Sequence, residues 1–456
     1  MDYSAANMTL WNVVIQLGLI AGAILLANLL RQRVPFIRKS LMPIAVLAGF
    51  ILLACKYIGI APLDGAIMEI LVYHGIALGF IAMSLRVPPE KTAGKGDFTG
   101  LKSGAVIVST YLVQGAAGLI VTLALGYTVM PGLFKAAGLL LPMGFGQGPG
   151  QANNIGSSYE ALGFAGGRSF GLSIAAAGYL VACVVGVVIL NILSRRGKVQ
   201  GGKTQEDKLS VEFFQDDGEI PVSDSIDKLS VQIALIMALY LVTYLVSRGI
   251  TGGLAAAAPG LAGTVNTLIW GFNFIIGSAL AIGLRALLEK GKRAGILHRQ
   301  YQNNYLLSRI SGFFFDIMIV AGIASIQVED LRGLWLPFLL MVVVGGVVTW
   351  VHLSFVCKKV YADYYYEGLL SMFGMLTGTI SSGVLLVREI DPDLSTPAAN
   401  NLVVGSSFGI ILGAPVLVLV GMAPRSAAMC WITLGLCIVY AAVLILLICK
   451  LHRRKK

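Results

Sequence analysis

Residues Gly138 to Tyr159 read GLLLPMGFGQGPGQANNIGSSY, and the fold turns on how they are interpreted. An apolar run ends at Pro142. A Gly-rich polar segment follows, with Pro149 inside it, and then Gln151, Asn153, Asn154, Ser157 and Ser158. The apolar lead-in from Leu133 to Met143 is about half of the roughly 20 residues that a spanning helix needs. The pattern predicts a re-entrant hairpin over about 133–163: a half-helix in, a Gly-rich tip at membrane depth, a half-helix out. Non-helical backbone is tolerated at that depth only where protein buries it or where it lines a wet cavity. A transporter would bind its substrate there.

A related stretch, GLLSMFGMLTGTISSG, runs from Gly368 to Gly383. Aligned without gaps, Gly138, Leu139, Leu140, Gly144 and Gly148 fall on Gly368, Leu369, Leu370, Gly374 and Gly378. Beyond each stretch the tripeptide Ser-Phe-Gly recurs, at Ser169 to Gly171 and Ser407 to Gly409, near the start of a long apolar run. A second hairpin over about 366–400 is therefore expected. Paired, Gly/Pro-interrupted segments in corresponding places of two halves are the sequence mark of a secondary transporter's site. The structural alternative is a pair of Gly-rich kinks that serve packing alone.

Composition sets the solvent. The chain is 57% hydrophobic and 12% charged, with a mean hydropathy of +0.82. Soluble domains carry about twice that share of charge, so the bilayer is its medium. The net charge of +11 could suggest nucleic acid, but the basic residues sit in short loops between apolar runs, where they act as topology signals. The six cysteines lie in or at the ends of apolar runs without a CxxC pair, and read as small hydrophobes. No positively charged n-region opens the sequence, so no cleavable signal peptide is expected.

Read in order, apolar runs cover about Leu10 to Leu30, Leu41 to Ile60, Ala66 to Leu85, Ser103 to Gly126 and Ser169 to Leu193. The first hairpin falls before the last of these. A polar linker, 194–228, separates them from runs at about Leu229 to Val246, Val265 to Leu288, Tyr305 to Ile326, Leu334 to Cys357 and Leu402 to Met422. The second hairpin precedes the last of this set, and a further run, about Ala427 to Cys449, has no partner in the first half. Every basic cluster lands on one side, from Arg31, Arg33, Arg38 and Lys39 through to Lys455 and Lys456. The N-terminus is then outside and the C-terminus cytoplasmic. The expected fold is an all-α polytopic membrane protein. It has two inverted repeats, 1–193 and 229–422, each of five spans plus one re-entrant hairpin, followed by an extra C-terminal span in 423–456.

Asp316, in FFFDIMIV, is the most expensive residue of the chain, because an ionisable group at mid-bilayer needs a cavity or a partner. His74, in VYHGIALGFIA, occupies the matching place in the third run. The functional reading makes Asp316 a cation ligand or proton acceptor and His74 its counterpart; the structural reading is helix packing. The tips carry no Lys or Arg, so an anion there would be held by half-helix N-termini and backbone N–H groups. Gly146, Gln147, Gly148, Gln151, Asn153 and Asn154 form the first tip, and Thr377, Gly378, Thr379, Ser381 and Ser382 the second. Amides on one and hydroxyls on the other suit a shared site, and a hard cation such as Na⁺ takes such oxygens. Glu160, Arg168, Glu367 and Arg388 flank the hairpins and read as solvated or headgroup-anchored charge, with Arg168 and Arg388 able to draw in an anion. Glu69 and Lys56 can snorkel. No Walker, HExxH, GxSxG or DDxxD sequence is present, so transport rather than enzymatic chemistry is expected, with no cofactor beyond Na⁺ as coupling ion.

The order of spans, the GFGQGPGQA stretch (Gly144 to Ala152) and the FGMLTGTISSG stretch (Phe373 to Gly383) resemble the bacterial sodium/glutamate symporter family over nearly the whole membrane part. The resemblance implies Na⁺-coupled uptake of glutamate or a related small organic anion across the bacterial plasma membrane. It also implies a homodimer and alternating access, with a hairpin-bearing core moving against a scaffold. Better-known members carry a His and small residues where Gly146 to Gln151 stand here, and an uncharged residue at the place of Asp316. Two other functions are compatible with the sequence. One is a cation/proton exchanger in which Asp316 binds Na⁺ and H⁺ competitively; the other is a non-transporting regulator acting through the 194–228 linker.

Overall fold

The computed structural model describes residues 3–4, 6–87, 98–199, 225–257, 269–271, 273–297, 301–391 and 396–453, and every regular element among them is helical. Nine helices among the described residues are long and apolar enough to cross a membrane. The helices in chain order are α1 (Met8–Arg33), α2 (Pro35–Lys39), α3 (Ile44–Ile58), α4 (Gly65–Leu85), α5 (Thr99–Tyr127), α6 (Pro149–Glu160), α7 (Gly167–Leu180) and α8 (Gly186–Arg195). They continue as α9 (Ser225–Ala257), α10 (Asn273–Arg293), α11 (Asn304–Ala324), α12 (Trp335–Val360), α13 (Tyr365–Thr377), α14 (Ile380–Arg388), α15 (Ala398–Met422) and α16 (Ala427–Arg453). A multi-pass membrane protein is the architecture that follows.

Several of the expected spans differ in extent. The run from Leu229 to Val246 continues to Ala257 in α9. The run from Leu41 to Ile60 forms only the 15-residue α3, because Pro43 sets its start and Gly59, in the left-handed conformation, closes it with its N–H on the Cys55 and Lys56 carbonyls. In the run expected from Val265, residues 269–271 and Asn273 onward are helical; 258–268 lie outside the described residues, as do 200–224 of the linker.

The outer faces of the helices identify their solvent. Along α12, Leu339, Val343, Val347, Val351 and Phe355 recur every fourth residue and are all exposed, while Met341, Gly345, Thr349, His352 and Val356 are buried. A helix in water would carry polar residues on that exposed stripe; an apolar one faces lipid.

The chain divides into two compact units. The first comprises Met1–Val72, Phe98–Thr204 and Ile319–Lys456, and the second Tyr73–Asp97 and Gln205–Met318. Both unit boundaries that fall within described residues lie inside helices, α4 and α11. In the second unit, Leu78, Ile81, Ala82 and Leu85 of α4 pack with Ile236 and Leu239 of α9, Ala281 of α10 and Leu307 and Ile310 of α11. The end of α4 is tied down by Arg285, which donates to the Ser84 and Arg86 carbonyls, and by the Asn304 amide, which meets the Val87 N–H and C=O at 2.8 and 2.9 Å. Those bonds satisfy carbonyls that a helix end leaves open.

In the first unit α5 is the central element. Of its most apolar window 72% is buried, against 22% for α1, so α5 is a core helix and α1 a peripheral one. It packs on α12, α15 and α16. Small residues let it do so: Gly405 of α15 lies on Ser103, and Gly104 on Phe408 and Gly409. Further along, Gly118 and Gly138 meet backbone to backbone, with no room for a Cβ on either. In the same unit Asn12 and Gln16 of α1 hold the turn before α4: the Asn12 amide donates to Asp64 at 2.7 Å and Gln16 to the Pro62 carbonyl at 3.0 Å.

Two outcomes follow from this packing. Gly138→Ala should lower the melting temperature in detergent by several degrees, since overpacking costs about 1–3 kcal/mol. Gly18→Ala, whose Cβ enters open space, should leave it unchanged or raise it; equal effects would mean the Gly118–Gly138 contact is not tight. The Asn12 amide and the Ile67 N–H hold the Asp64 carboxyl below its ordinary range. A depressed folded value stabilises above the unfolded value of about 3.9 and is lost as pH falls through the folded one. The melting gap between wild type and Asp64→Asn should therefore be full at pH 7 and close below about pH 4; a gap that widens on acidification would reverse the sign.

Candidate functional site

Both interrupted stretches belong to the first unit. In the earlier one, a tight turn over Lys135–Leu139 leads to a single π turn over Pro142–Gly146, and then to α6. The joint is Gly148, whose φ of +84° suits glycine and sets Pro149 as the first residue of α6, where its missing N–H is no loss. In the later one α13 ends at Thr377, Gly378 and Thr379 are non-helical, and α14 begins at Ile380. Thr377 turns its hydroxyl back to the Phe373 carbonyl at 2.8 Å, while the Thr379 and Ser382 hydroxyls lie 3.4 Å apart.

One helix serves both. Along α7 and α8 the residues Gly171, Ala175, Gly178, Ala182 and Gly186 are spaced by four, three, four and four, and so share a face. Gly171 lies on the Ala152 carbonyl, Ala175 on Gly144, Gly178 on Phe145 and the Thr377 carbonyl, Ala182 on Gly378, and Gly186 on Leu386. Tyr179 brings its buried hydroxyl to Gly148. The two tips therefore meet the same short length of helix, which a π turn over Val181–Val185 distorts, as is common at functional sites.

A second link comes from α5. The fully buried Gln114 donates from Nε2 to the Leu376 carbonyl and to Thr349 Oγ1, each at 2.8 Å. Its Oε1 lies beside Gly146, 3.0 Å from where a Cβ would stand, and the Tyr111 ring covers the same glycine. Buried polar atoms without a partner gather in these elements: Gln114 Oε1, Gln151 Nε2 and Oε1, Asn153 Oδ1 and Ser173 Oγ. Unmet buried groups of this kind are costly, and they point to water or a bound species. Asn153 makes one long bond, from Nδ2 to Asn154 Oδ1 at 3.4 Å, and Gln147 is half-buried. Ser381 lies in α14, with its side chain outside the described set.

Each stretch has its two ends side by side. Phe134, before the first, stacks on Phe164 after it and packs at a tilt on Tyr159 at its end, at 5.1 and 5.3 Å between ring centroids. Tyr364, before α13, accepts a 2.7 Å bond from Asn401 at the start of α15. Tyr159 donates to the Val420 carbonyl at the other end of α15. Asn401 and Val420 are about 28 Å apart at the helical rise, so the ends of the two stretches lie at opposite ends of α15.

His74 and Asp316 lie in the second unit. His74 shares a 2.7 Å bond between Nδ1 and the Tyr240 hydroxyl, which also accepts from Asn273 at 3.1 Å. Gly79 of α4 takes the Phe315 ring of α11, and Gly75 takes Met318 and the Phe314 carbonyl. Asp316 is exposed and makes no hydrogen bond or ion pair among the described residues, so of the cavity or partner that the sequence calls for, no partner is found there.

Arg168 departs from the expectation of solvated charge, while its partner Glu69 stays 42% exposed. They form an ion pair at 2.6 Å, and Arg168 is only 17% exposed. Ser157 donates to the same Glu69 carboxylate at 3.2 Å, and the Arg168 N–H to Glu160 at 3.0 Å. A compensated guanidinium is a weak lure for an anion. Lys56 likewise donates to the Ile326 carbonyl at 3.0 Å. Among the described residues no three His, Cys, Asp or Glu side chains gather as a metal cage.

Sequence reading passed over Gln114, Tyr111, Ser173, Tyr179 and Thr349. Gln114 had a usable signal, being the one amide side chain in the apolar fourth run. Compared with known proteins, the chain matches no family model and no curated protein. If the unpaired amides line a wet cavity, Asn153→Cys in a cysteine-free background should react with a water-soluble methanethiosulfonate, and Leu140→Cys should not. A silent Asn153→Cys would make the region dry packing.

Proposed function

We propose that the protein is a secondary active transporter, a symporter in which Na⁺ drives a small organic anion, glutamate or a relative, by alternating access at the two tips. The observation that carries this reading is the meeting of two interrupted segments across Gln114 and the small face of α7, with buried amide atoms left unpartnered. The adjoining ends of each segment, at opposite ends of α15, support re-entrant hairpins from opposite faces and hence inverted repeats. The likeness to the sodium/glutamate symporters supplies the ion, the substrate, the bacterial plasma membrane and the homodimer. The basic loops supply an outside N-terminus and a cytoplasmic C-terminus. Asp316 is the coupling candidate in the second unit, with His74 as its counterpart.

A cation/proton exchanger is favoured by one observation, the unpartnered Asp316 carboxylate, and differs in needing no organic substrate. Uptake of labelled glutamate into proteoliposomes separates the two. Symport gives uptake that depends on an inward Na⁺ gradient and falls about tenfold or more in Asp316→Asn. Proton flux driven by Na⁺ without glutamate, and no glutamate uptake in either gradient, would overturn symport in favour of exchange.

A further inference from the structure

Gln114 is oriented by its neighbours rather than by choice of amide rotamer. Thr349 Oγ1 has its proton committed to the Gly345 carbonyl at 2.7 Å, so toward Gln114 it only accepts. The Leu376 carbonyl also only accepts. Both contacts must be made by the amide NH₂, and a flipped amide would set oxygen against oxygen twice. The carbonyl oxygen is thereby fixed on the other side, beside Gly146, where it is buried and has no donor. Gly146 offers no side chain, and the Tyr111 ring covers it. A pinned acceptor disfavours an anion at that point, and at a tip without Lys or Arg it can be met by a cationic group brought in from outside.

We infer that Gln114 Oε1 is a binding group for a cationic centre, a bare monovalent ion or the ammonium group of a substrate, and that Thr349 is the residue that positions it. The use made of the site rests on the transport reading; the binding chemistry does not. Holding the same amide to Leu376 makes the first tip sensitive to the position of the second, because loss of that carbonyl would free the amide to turn its oxygen away from the ligand.

The test uses full-length protein in nanodiscs, its melting followed against NaCl or choline chloride, and against L-glutamate or glutarate at fixed salt. Gln114→Met removes the acceptor and keeps the length; Thr349→Val removes one of the two acceptors that fix the amide and keeps its shape. Loss of a charge-assisted contact should move the affected midpoint about tenfold or more in Gln114→Met, and by a smaller factor in Thr349→Val. A shift confined to Na⁺ identifies the bare ion. A shift for glutamate but not for glutarate identifies the ammonium group. Unchanged midpoints in both variants overturn the inference, and if Gln114→Met fails to fold, Thr349→Val alone decides. Wild type that transports while Gln114→Met binds normally refutes the Gln114 site and leaves transport standing. Wild type that binds Na⁺ through Gln114 and moves nothing refutes transport and leaves the site.

Discussion

The amide of Gln114 does what hydrocarbon cannot. An interrupted helix inside a membrane leaves carbonyls and N–H groups that have no intrahelical partner, and lipid offers none. At the end of α13 the Leu376 carbonyl is met by Gln114, and the Gly378 N–H returns to the Gly374 carbonyl at 3.0 Å. At the other break Gln147 and Gly148 return their N–H groups to Pro142 and Gly144, both at 3.1 Å. These bonds at both interruptions lie within the first unit, and one of them is made by a side chain from α5. Without that side chain the later break would carry an unmet carbonyl, a defect worth roughly 1–3 kcal/mol when buried.

Close approach is the second requirement, and it is met by size rather than by chemistry. Lipid tails are as apolar as leucine, so membrane helices gain by packing, not by hiding from water. The small face of α7 and α8 admits both stretches to van der Waals contact, and the Gly118–Gly138 meeting brings α5 onto the turn that opens the first. Side chains of ordinary size at these places would hold the segments apart and leave Gln114 out of reach of Leu376. The polar link and the small faces are therefore one design, each useless alone.

The membrane class and most helices were legible in the sequence, because twenty apolar residues in a row have one physical meaning. The two interruptions were legible too, from Gly148, Pro149 and Gly378. The length of α3 was not, since Pro43 and Gly59 were read as part of one apolar run. Pairings between distant residues were beyond reach: nothing local marks Arg168 for Glu69, or Gln114 for Leu376. The small face of α7 was present as a spacing of Gly and Ala, but abundant glycine hides such a pattern unless the partner is known.

The charge distribution of the candidate site bears on how coupling would work. Its nearby groups are amides, hydroxyls and backbone, with no fixed charge among the predicted tip residues. A neutral cage binds a lone cation modestly, and a lone anion no better. Two opposite charges about 4 Å apart attract by on the order of 4 kcal/mol at an effective dielectric of 20. In such a site each ligand supplies the counter-charge that the protein withholds, and by linkage each raises the affinity of the other by the same factor. A fixed lysine or carboxylate at the tip would satisfy one ligand in the absence of the other and uncouple them. On the transport reading, the neutrality of the tips is thus what makes obligatory co-binding possible, and an oriented oxygen such as Gln114 Oε1 favours the cation without replacing the anion.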